Sequence, residues 1–329
     1  EQYNGIPERS YHAQGMLVKI PVNYDPVLRT YDGIWDGGTF KVDYTDNPAW
    51  CLRDLITNKR YGIGDYVDED DINNAAFYKI AKLCDEPVPD GYGGTEPRYT
   101  CSLYIQGREG AYKVLSDMAS IFNGLLYWSS GNICVTADAE EDPVWLFTNA
   151  NVINGEFVYQ GSSKNTRHTV AHVTYRDKKD RFQEKVEYVS LGREEIIKHG
   201  VKPISFVATG ATSRGQAHRL GKTVLLSEQY LTETVSFTTG IEGVGSGLAP
   251  GSIIKVSDAN RSGQRWGGRI ISATANQIVL DAPISVTEGT TYTLSFISST
   301  GTLEESTLTF TTPDTLFAMG DGTKNLNID

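Results

Sequence analysis

His168 and His172 stand four residues apart, the spacing at which two imidazoles on one helix face share a zinc ion. The glutamate that completes H-E-x-x-H is missing, and the surrounding segment alternates like a strand. On a strand, residues four apart lie ~13 Å from each other, too far to share a metal. Gly243-Val244-Gly245-Ser246-Gly247 resembles a nucleotide loop, but it lacks a third glycine at the required offset and no helix pattern follows. It reads as a β-turn. Asp68-Glu69-Asp70-Asp71 suggests calcium, yet an EF-hand loop needs an oxygen ligand at its fifth position and glycine at its sixth, where Ile72 and Asn73 stand. Acids at a helix N-terminus explain the run more simply. Asp321, Thr323, Asn325, Asn327 and Asp329 place side-chain oxygens at alternate positions, and a frayed tail is the simpler reading. No G-x-S-x-G, P-loop or Cys–His nucleophile pattern is present, and nothing singles out two carboxylates as a glycosidase pair. No catalytic, cofactor-binding or metal-binding residue is assigned, and no cofactor is expected.

The four cysteines, Cys51, Cys84, Cys101 and Cys134, form no C-x-x-C pair, which argues against zinc and thioredoxin-like chemistry. They fall on apolar helix faces or in strands and read as buried, reduced thiols, in keeping with folding in a reducing cytoplasm.

The elements around these residues are β-rich. The chain has 329 residues, 39% hydrophobic and 22% charged, with 33 Gly and 18 Tyr, a balance suited to several small globular units with many tight turns. No apolar run is long enough to span a bilayer. The start, Glu1-Gln2-Tyr3-Asn4-Gly5, has neither initiator Met nor signal peptide and reads as a piece from inside a longer protein. The net charge of −11 argues against a general nucleic-acid binder. Residues 46–150 hold 17 acidic and 8 basic side chains, a net of −9, whereas 151–230 hold 8 and 13, a net of +5. The two blocks could attract each other, within a chain or between chains.

Five regions are expected. Residues 1–45 form an extended arm or hairpin laid on other protein, with strands at 15–22 and 39–44. Residues 46–150 form a mixed α+β domain. Its first helix has Asn47 as N-cap, Pro48 at the first position and Cys51, Leu52, Leu55 and Ile56 on one face. Lys59 and Arg60 fall in its last turn, and Gly62 ends it. A second helix begins at the acids 68–71 and runs to Cys84. A loop over 87–97, a strand over 99–105, a third helix over 110–123 and a hairpin over 125–137 follow. Residues 151–229 hold a hairpin (168–175 and 184–189, with a polar tip at 177–181), a short helix Arg193–His199, and a longer helix capped by Thr212 or Ser213. In the longer helix, Ala217, Leu220 and Val224 face inward. Residues 230–312 carry six short strands expected to form a small barrel or sandwich, and 313–329 a flexible tail.

Three groups of segments carry a resemblance. They are Gly33-Ile34-Trp35-Asp36-Gly37 with Asn47-Pro48-Ala49-Trp50-Cys51-Leu52 and Arg60-Tyr61-Gly62; Val88-Pro89-Asp90-Gly91-Tyr92-Gly93-Gly94-Thr95-Glu96-Pro97-Arg98; and Thr212-Ser213-Arg214-Gly215-Gln216-Ala217-His218-Arg219. With Cys84-Asp85, Val114-Leu115-Ser116-Asp117, Leu248-Ala249-Pro250-Gly251-Ser252-Ile253-Ile254 and Gly268-Arg269, they resemble the central tail-tip proteins (host specificity protein J, tip attachment protein) of lambda-like phages and prophages. The resemblance covers most of residues 10–300. It implies an α+β, multidomain, β-rich hub resembling phage baseplate hub proteins, with a hairpin region and a small β-barrel, which this chain, departing from the family's pattern over 312–329, could leave incomplete. It also implies a structural, non-enzymatic role: a homotrimer that contacts other tail-tip proteins and closes the tail tube in the virion. Such a protein is made in the bacterial host cytoplasm. DNA would pass through the ring without specific binding, and the receptor would be bound by a C-terminal region absent here. The alternatives are a tail-associated cell-wall hydrolase and a carbohydrate-binding adhesin module, the latter suggested by Trp35 and Tyr92.

Overall fold

The computed structural model describes residues 11, 13–105, 107, 109–129, 131–163, 167–240, 248–263, 268–273, 277–281, 284, 289–298, 301–309 and 326–327. The chain divides into two units that interleave in sequence: 1–138 with 163–232, and 139–162 with 233–329.

The first unit has two cores. One gathers around helix α1 (Pro48–Thr57). Asn47 caps it as expected, its Oδ1 accepting from Ala49 N at 3.0 Å, with Pro48 at the first position. Ala49, Trp50, Leu52 and Ile56 are wholly buried. The helix stops at Asn58, whose amide donates to Asp54 O at 2.8 Å. Lys59 and Arg60 therefore lie beyond the last turn, and Gly62 belongs to the turn that folds back under the helix end. Helix α2 (Asn74–Asp85) turns Phe77, Ile80, Ala81 and Cys84 inward. The acids 69–71 make a separate 3-10 turn ahead of it, because Asn73 rather than an aspartate takes the cap, accepting from Ala76 N. Helix α3 (Ala111–Ser120) adds Met118, with Phe122 just past its end.

Among the described residues, the arm packs on the α1 core of its own unit. Val18–Pro21 pairs antiparallel with Phe40–Asp43, and Tyr24–Asp25 with Thr30–Tyr31. Ile20 and Tyr24 are buried in the α1 core. Trp35 stacks on Tyr78 and meets Trp50 edge-on, with Phe40 close by. Arg53, 1% exposed, lies 4.0 Å from the centre of the Phe40 ring. The hairpin Gly124–Ser129 with Asn132–Ala137 completes this core as expected. Residues 99–105 do not form a strand. Their amides go to separate places, Tyr99 N to Cys84 O, Cys101 N to Asp46 O and Ser102 N to Gly210 O. The segment is a strap, not a sheet member. Within the expected loop, Pro87–Pro89 pairs with Thr95–Pro97 as a small hairpin.

The second core is a three-stranded sheet under one helix. Val170–Asp177 pairs antiparallel with Gln183–Ser190 and parallel with Pro203–Val207, reached through helix α4 (Arg193–His199). Helix α5 (Arg214–Tyr230) is capped by Ser213 and lies on the sheet through Ala217, Leu220 and Leu225. Leu225, wholly buried, takes the place expected of Val224. A Cβ at Gly221 would come within 2.8 Å of methyls of Val173 and Val189, so glycine sets the close helix–sheet approach.

In the second unit, Trp145–Thr148 pairs parallel with Ile254–Ser257, and Val158–Gly161 antiparallel with Glu233–Ser236. Trp145, Phe147 and Val152 are its buried centre, with Phe157, Phe237 and Ile297 against them. A short helix, α6 (Ala259–Ser262), follows. Ile270–Ala273, Gln277–Leu280 and Leu326–Asn327 form one small sheet, and Thr291–Ile297 with Leu303–Thr309 a hairpin. The strands expected over 230–312 are present, but among the described residues they form separate small sheets and no barrel closes. Leu326–Asn327 pairs into a sheet, so the segment expected to be a flexible tail is not wholly without structure. The loop at 243–247 and the alternate oxygens at 321, 323, 325 and 329 lie outside the described residues.

Candidate functional site

The two longest signature segments, 88–98 and 212–219, meet in the first unit. Their meeting point is Glu187 on the strand Gln183–Ser190. The side chain faces α5 and is 5% exposed. Tyr92 Oη donates to Oε1 at 2.9 Å and Arg214 Nε to Oε2 at 2.7 Å, while His218 Nδ1 lies 3.0 Å from Oε1. Arg214 and His218 are one helical turn apart, which brings both to the same carboxylate. The Arg214 guanidinium also covers the Tyr92 ring at 4.2 Å.

The Asp90 turn prepares this geometry. Its Oδ1 accepts from the amides of Tyr92 (2.7 Å) and Gly94 (2.9 Å), and Gly91 and Gly93 take left-handed conformations that favour glycine. The next helix positions grip the same stretch. Arg219 Nη1 donates to Glu96 Oε1 at 2.7 Å and Nη2 to Arg98 O at 2.8 Å. Gln216 both accepts from and donates to Thr100. A Cβ on Gly215 would sit 2.4 Å from Glu96 Oε1 and 2.8 Å from Asp90 O, so the first turn of α5 rests directly on the hairpin.

This arrangement holds parts together. Burial pushes the Glu187 carboxyl up, but hydrogen bonds from Arg214, His218 and Tyr92 outweigh it and keep the acid below its ordinary range. A His–carboxylate pair can orient a general base. Here, among the described residues, no hydroxyl or thiol is bonded to His218, and the other groups on the carboxylate are a phenol and a guanidinium. The Glu187→Gln substitution is expected to destabilise the unit by about 1.5–3 kcal/mol, the worth of buried hydrogen bonds to a charged group. Because the folded acid titrates below its unfolded value, its stabilisation is present above the unfolded pKa and is lost as pH falls through the folded one. Urea unfolding across that acidic range should therefore fall more steeply for the native chain than for the glutamine variant. Parallel curves would count against the clamp.

A second polar cluster lies beside α1. Asp85, on the last turn of α2, receives Arg29 Nη1 at 2.6 Å, Tyr31 Oη at 2.9 Å and Asn47 Nδ2 at 2.8 Å. The other guanidinium nitrogen of Arg29 pairs with Asp46. Burial raises the Asp85 pKa, and Arg29 works against the rise.

The remaining candidates are structural. His168 Nδ1 lies 2.9 Å from Glu228 Oε2, tying the sheet to the end of α5, and His172 packs its ring on Tyr188. The two histidines do not converge, and among the described residues no group of three or more His, Cys, Asp or Glu could hold a metal. The run 68–71 is tied locally, Asp71 Oδ2 accepting from Asp68 N and Glu69 pairing with Lys19. The four cysteines are free. Neither aromatic proposed as a sugar platform is bare. Trp35 is packed among Phe40, Trp50 and Tyr78, and one face of Tyr92 lies under Arg214. A cleft of about 200 Å³ is lined by Ile121, Phe206, Leu220, Asn123 and Gln216, and both amide side chains are already bonded to Tyr99 and Thr100.

Sequence reasoning missed the role of Glu187. The alternation in the strand pointed the other way: Val186 and Tyr188 are its exposed phase, while Glu187 and Val189 face inward. The partners of the acid come from distant segments.

Residues 110–272 match the protein family described as "Putative phage tail protein". The chain is 35% identical to Tip attachment protein J of Escherichia phage SECphi27 over 332 residues, covering 95% of this chain and 27% of the relative. It is 36% identical to Tip attachment protein J of Escherichia phage SECphi4 over 289 residues, covering 87% and 25%. The chain thus spans about a quarter of the length of the curated relatives it matches. Among solved structures, the 43 kDa tail protein of prophage MuSo2 from Shewanella oneidensis matches 48% of this chain and 46% of its own, at 17% identity and a TM-score of 0.32. That likeness is too loose to carry an argument.

Proposed function

The chain is a homologue of the tip attachment proteins of phage tails, and from that premise we propose that it is a structural component of a phage or prophage tail tip. The observation that carries the reading is the use made of the signature segments. Residues 88–98 and 212–219 lock a hairpin, a helix and a sheet around Glu187: Tyr92 and Arg214 bond to Glu187, and Arg219 bonds to Glu96. Residues kept for holding a frame suit a part whose work is mechanical.

The proposal extends to assembly. The chain would join other copies, as a homotrimer, and other tail proteins in a ring at the distal end of the tube, in a virion built in the bacterial host. Exposed carboxylates such as Asp65, Asp68, Asp70 and Asp117 would face the lumen or a neighbouring subunit. A lumen of that sign repels phosphate and lets DNA pass without binding. Receptor binding is left to sequence beyond this stretch. No catalytic, cofactor-binding or metal-binding residue is part of the proposal. Among the described residues no helix is long and apolar enough to cross a membrane.

Antibodies raised against the purified chain test this. Gold-labelled antibody should decorate intact virions at the distal end of the tail. Labelling of the capsid, or virions without the chain beside lysates that contain it, would overturn the proposal.

A further inference from the structure

The strap at 99–105 lies between the two cores of the first unit and is held on both sides. Toward α5, Thr100 exchanges hydrogen bonds with Gln216, and Ser102 N donates to Gly210 O at 3.0 Å. Toward α1, Cys101 N donates to Asp46 O at 2.8 Å, one residue before the N-cap. Cys51, on the first turn of α1, directs its thiol back to the same place, its Sγ 3.6 Å from Thr45 O. The Cys51 thiol and the Cys101 backbone thus converge on the adjacent carbonyls of Thr45 and Asp46, and the Cys101 thiol feels Cys51 electrostatically. Cys51 is half-buried and Cys101 is buried. Two cysteines held at adjacent carbonyls of one dipeptide, Cys101 by its amide and Cys51 by its thiol, can be joined without separating or rethreading the elements that carry them.

We propose that Cys51 and Cys101 are an oxidisable pair that a small-molecule disulfide converts into an intramolecular disulfide, stapling the strap to α1. Cys51, the more accessible thiol, attacks as thiolate one sulfur of a reagent such as oxidised glutathione. The reagent's S–S bond breaks, one glutathione thiol leaves, and a mixed disulfide remains on Cys51. Cys101 then gives its proton to solvent and attacks the Cys51 sulfur, and the second glutathione thiol leaves. The protein loses two electrons and two protons, and the reagent disulfide is reduced to two thiols. The neighbouring Cys51 thiol and burial both raise the Cys101 thiol pKa, so the second step is the slower one and quickens as pH rises. In a reducing cytoplasm the pair stays as thiols, so the staple forms only in an oxidising medium. Once formed, it ties the α1 core to the strap that already grips α5.

The neighbouring thiols supply controls. Cys84 is wholly buried near Cys101, and Cys134 sits elsewhere, against Asn73 Nδ2. The full chain is incubated, folded, with oxidised glutathione. Free thiols are then alkylated and the protein is digested and mapped without reduction. The expected result is one cross-linked peptide pair carrying Cys51 and Cys101, lighter by two hydrogen atoms than the sum of its parts, with Cys84 and Cys134 alkylated. The oxidised chain should melt at a higher temperature than the reduced chain, and Cys51→Ser should abolish the difference. A cross-link between Cys84 and Cys101, a lasting glutathione adduct on Cys51, or unchanged free thiols would each overturn the proposal. The peptide map uses the native sequence, so it decides the matter even where the variant fails to fold.

Discussion

Arg29→Met is expected to destabilise the first unit by about 3–5 kcal/mol at neutral pH, because it leaves a buried carboxylate without its cation. A loss of that size is a large part of what holds a domain folded. The Asp85 side chain is 2% exposed, and Arg29 is its only cationic contact among the described residues. The arginine reaches it from a left-handed backbone position at the tip of a tight turn, whose amides at Val27 and Leu28 are held by Asp25 Oδ1. Tyr31 and Asn47 still donate to Asp85 in the variant, but neutral donors do not replace a guanidinium bound to two acids. The effect has a pH signature. The Asp85 pKa is already raised in the folded chain, and removing Arg29 raises it further. A group whose folded pKa lies above its unfolded value favours folding most below the unfolded pKa, and that support is lost as pH rises through the folded one. The variant should therefore regain stability on going from neutral to mildly acidic buffer, by more than the native chain does. Urea midpoints in the two buffers check this. Equal deficits in both would mean that the loss is one of packing and not of charge. Arg29→Lys, which restores the charge without the fork, should recover part of the loss.

Trp50→Ala should cost a similar amount, about 3–5 kcal/mol, for a different reason. The indole is wholly buried and meets Trp35 edge-on at 6.1 Å and Phe40 at 6.5 Å. Each such aromatic pair adds about 0.5–1.5 kcal/mol beyond the area it buries. Deleting the ring empties the centre of the α1 core, and α1 and the arm lose their common support. Trp50→Phe keeps most of the volume and gives up the Nε1 contact with Tyr31 Oη at 3.4 Å, so it should cost clearly less. Thermal unfolding and the near-ultraviolet dichroism of the aromatic cluster measure both. A loss below about 1 kcal/mol for the alanine variant would contradict the burial of Trp50 as the core's centre.

These two residues mark what was readable in the chain. Elements set by local periodicity and capping were legible: α4 over Arg193–His199, the paired strands Gly124–Ser129 and Asn132–Ala137, and the Asn47-Pro48 start of α1. Their hydrogen bonds close within a few residues, so the pattern and its cause sit together. Interactions between distant segments were not legible. The strap at 99–105 alternates like a strand, but its amides find four separate partners, on Cys84, Gln216, Asp46 and Gly210, and nothing local distinguishes the two cases. The parallel pairing of Trp145–Thr148 with Ile254–Ser257 leaves no trace in either segment alone. The candidate site was half legible. Segments 88–98 and 212–219 stood out as signatures, while the carboxylate that joins them lay in a strand that was foreseen without any role for its acid. Asp85 was noted only for its place beside Cys84, and its need for Arg29 followed from a burial that the sequence does not state.

The interleaving of the two units has a consequence for synthesis. Trp145 reaches the ribosome exit about 110 positions before its strand partner near Ile254. At ~5–20 residues per second, that is a wait of roughly 5–20 s with an apolar strand unpaired. The first unit waits as well, since the clamp on the hairpin at 88–98 needs Glu187 and Arg214. Neither unit can close as its own amino acids first emerge, and the emerging chain spends that interval open to nascent neighbours of its own kind. Cutting the chain anywhere between 139 and 232 would leave one of the units short of a strand or a helix. The shortest piece that can fold as a whole therefore carries both.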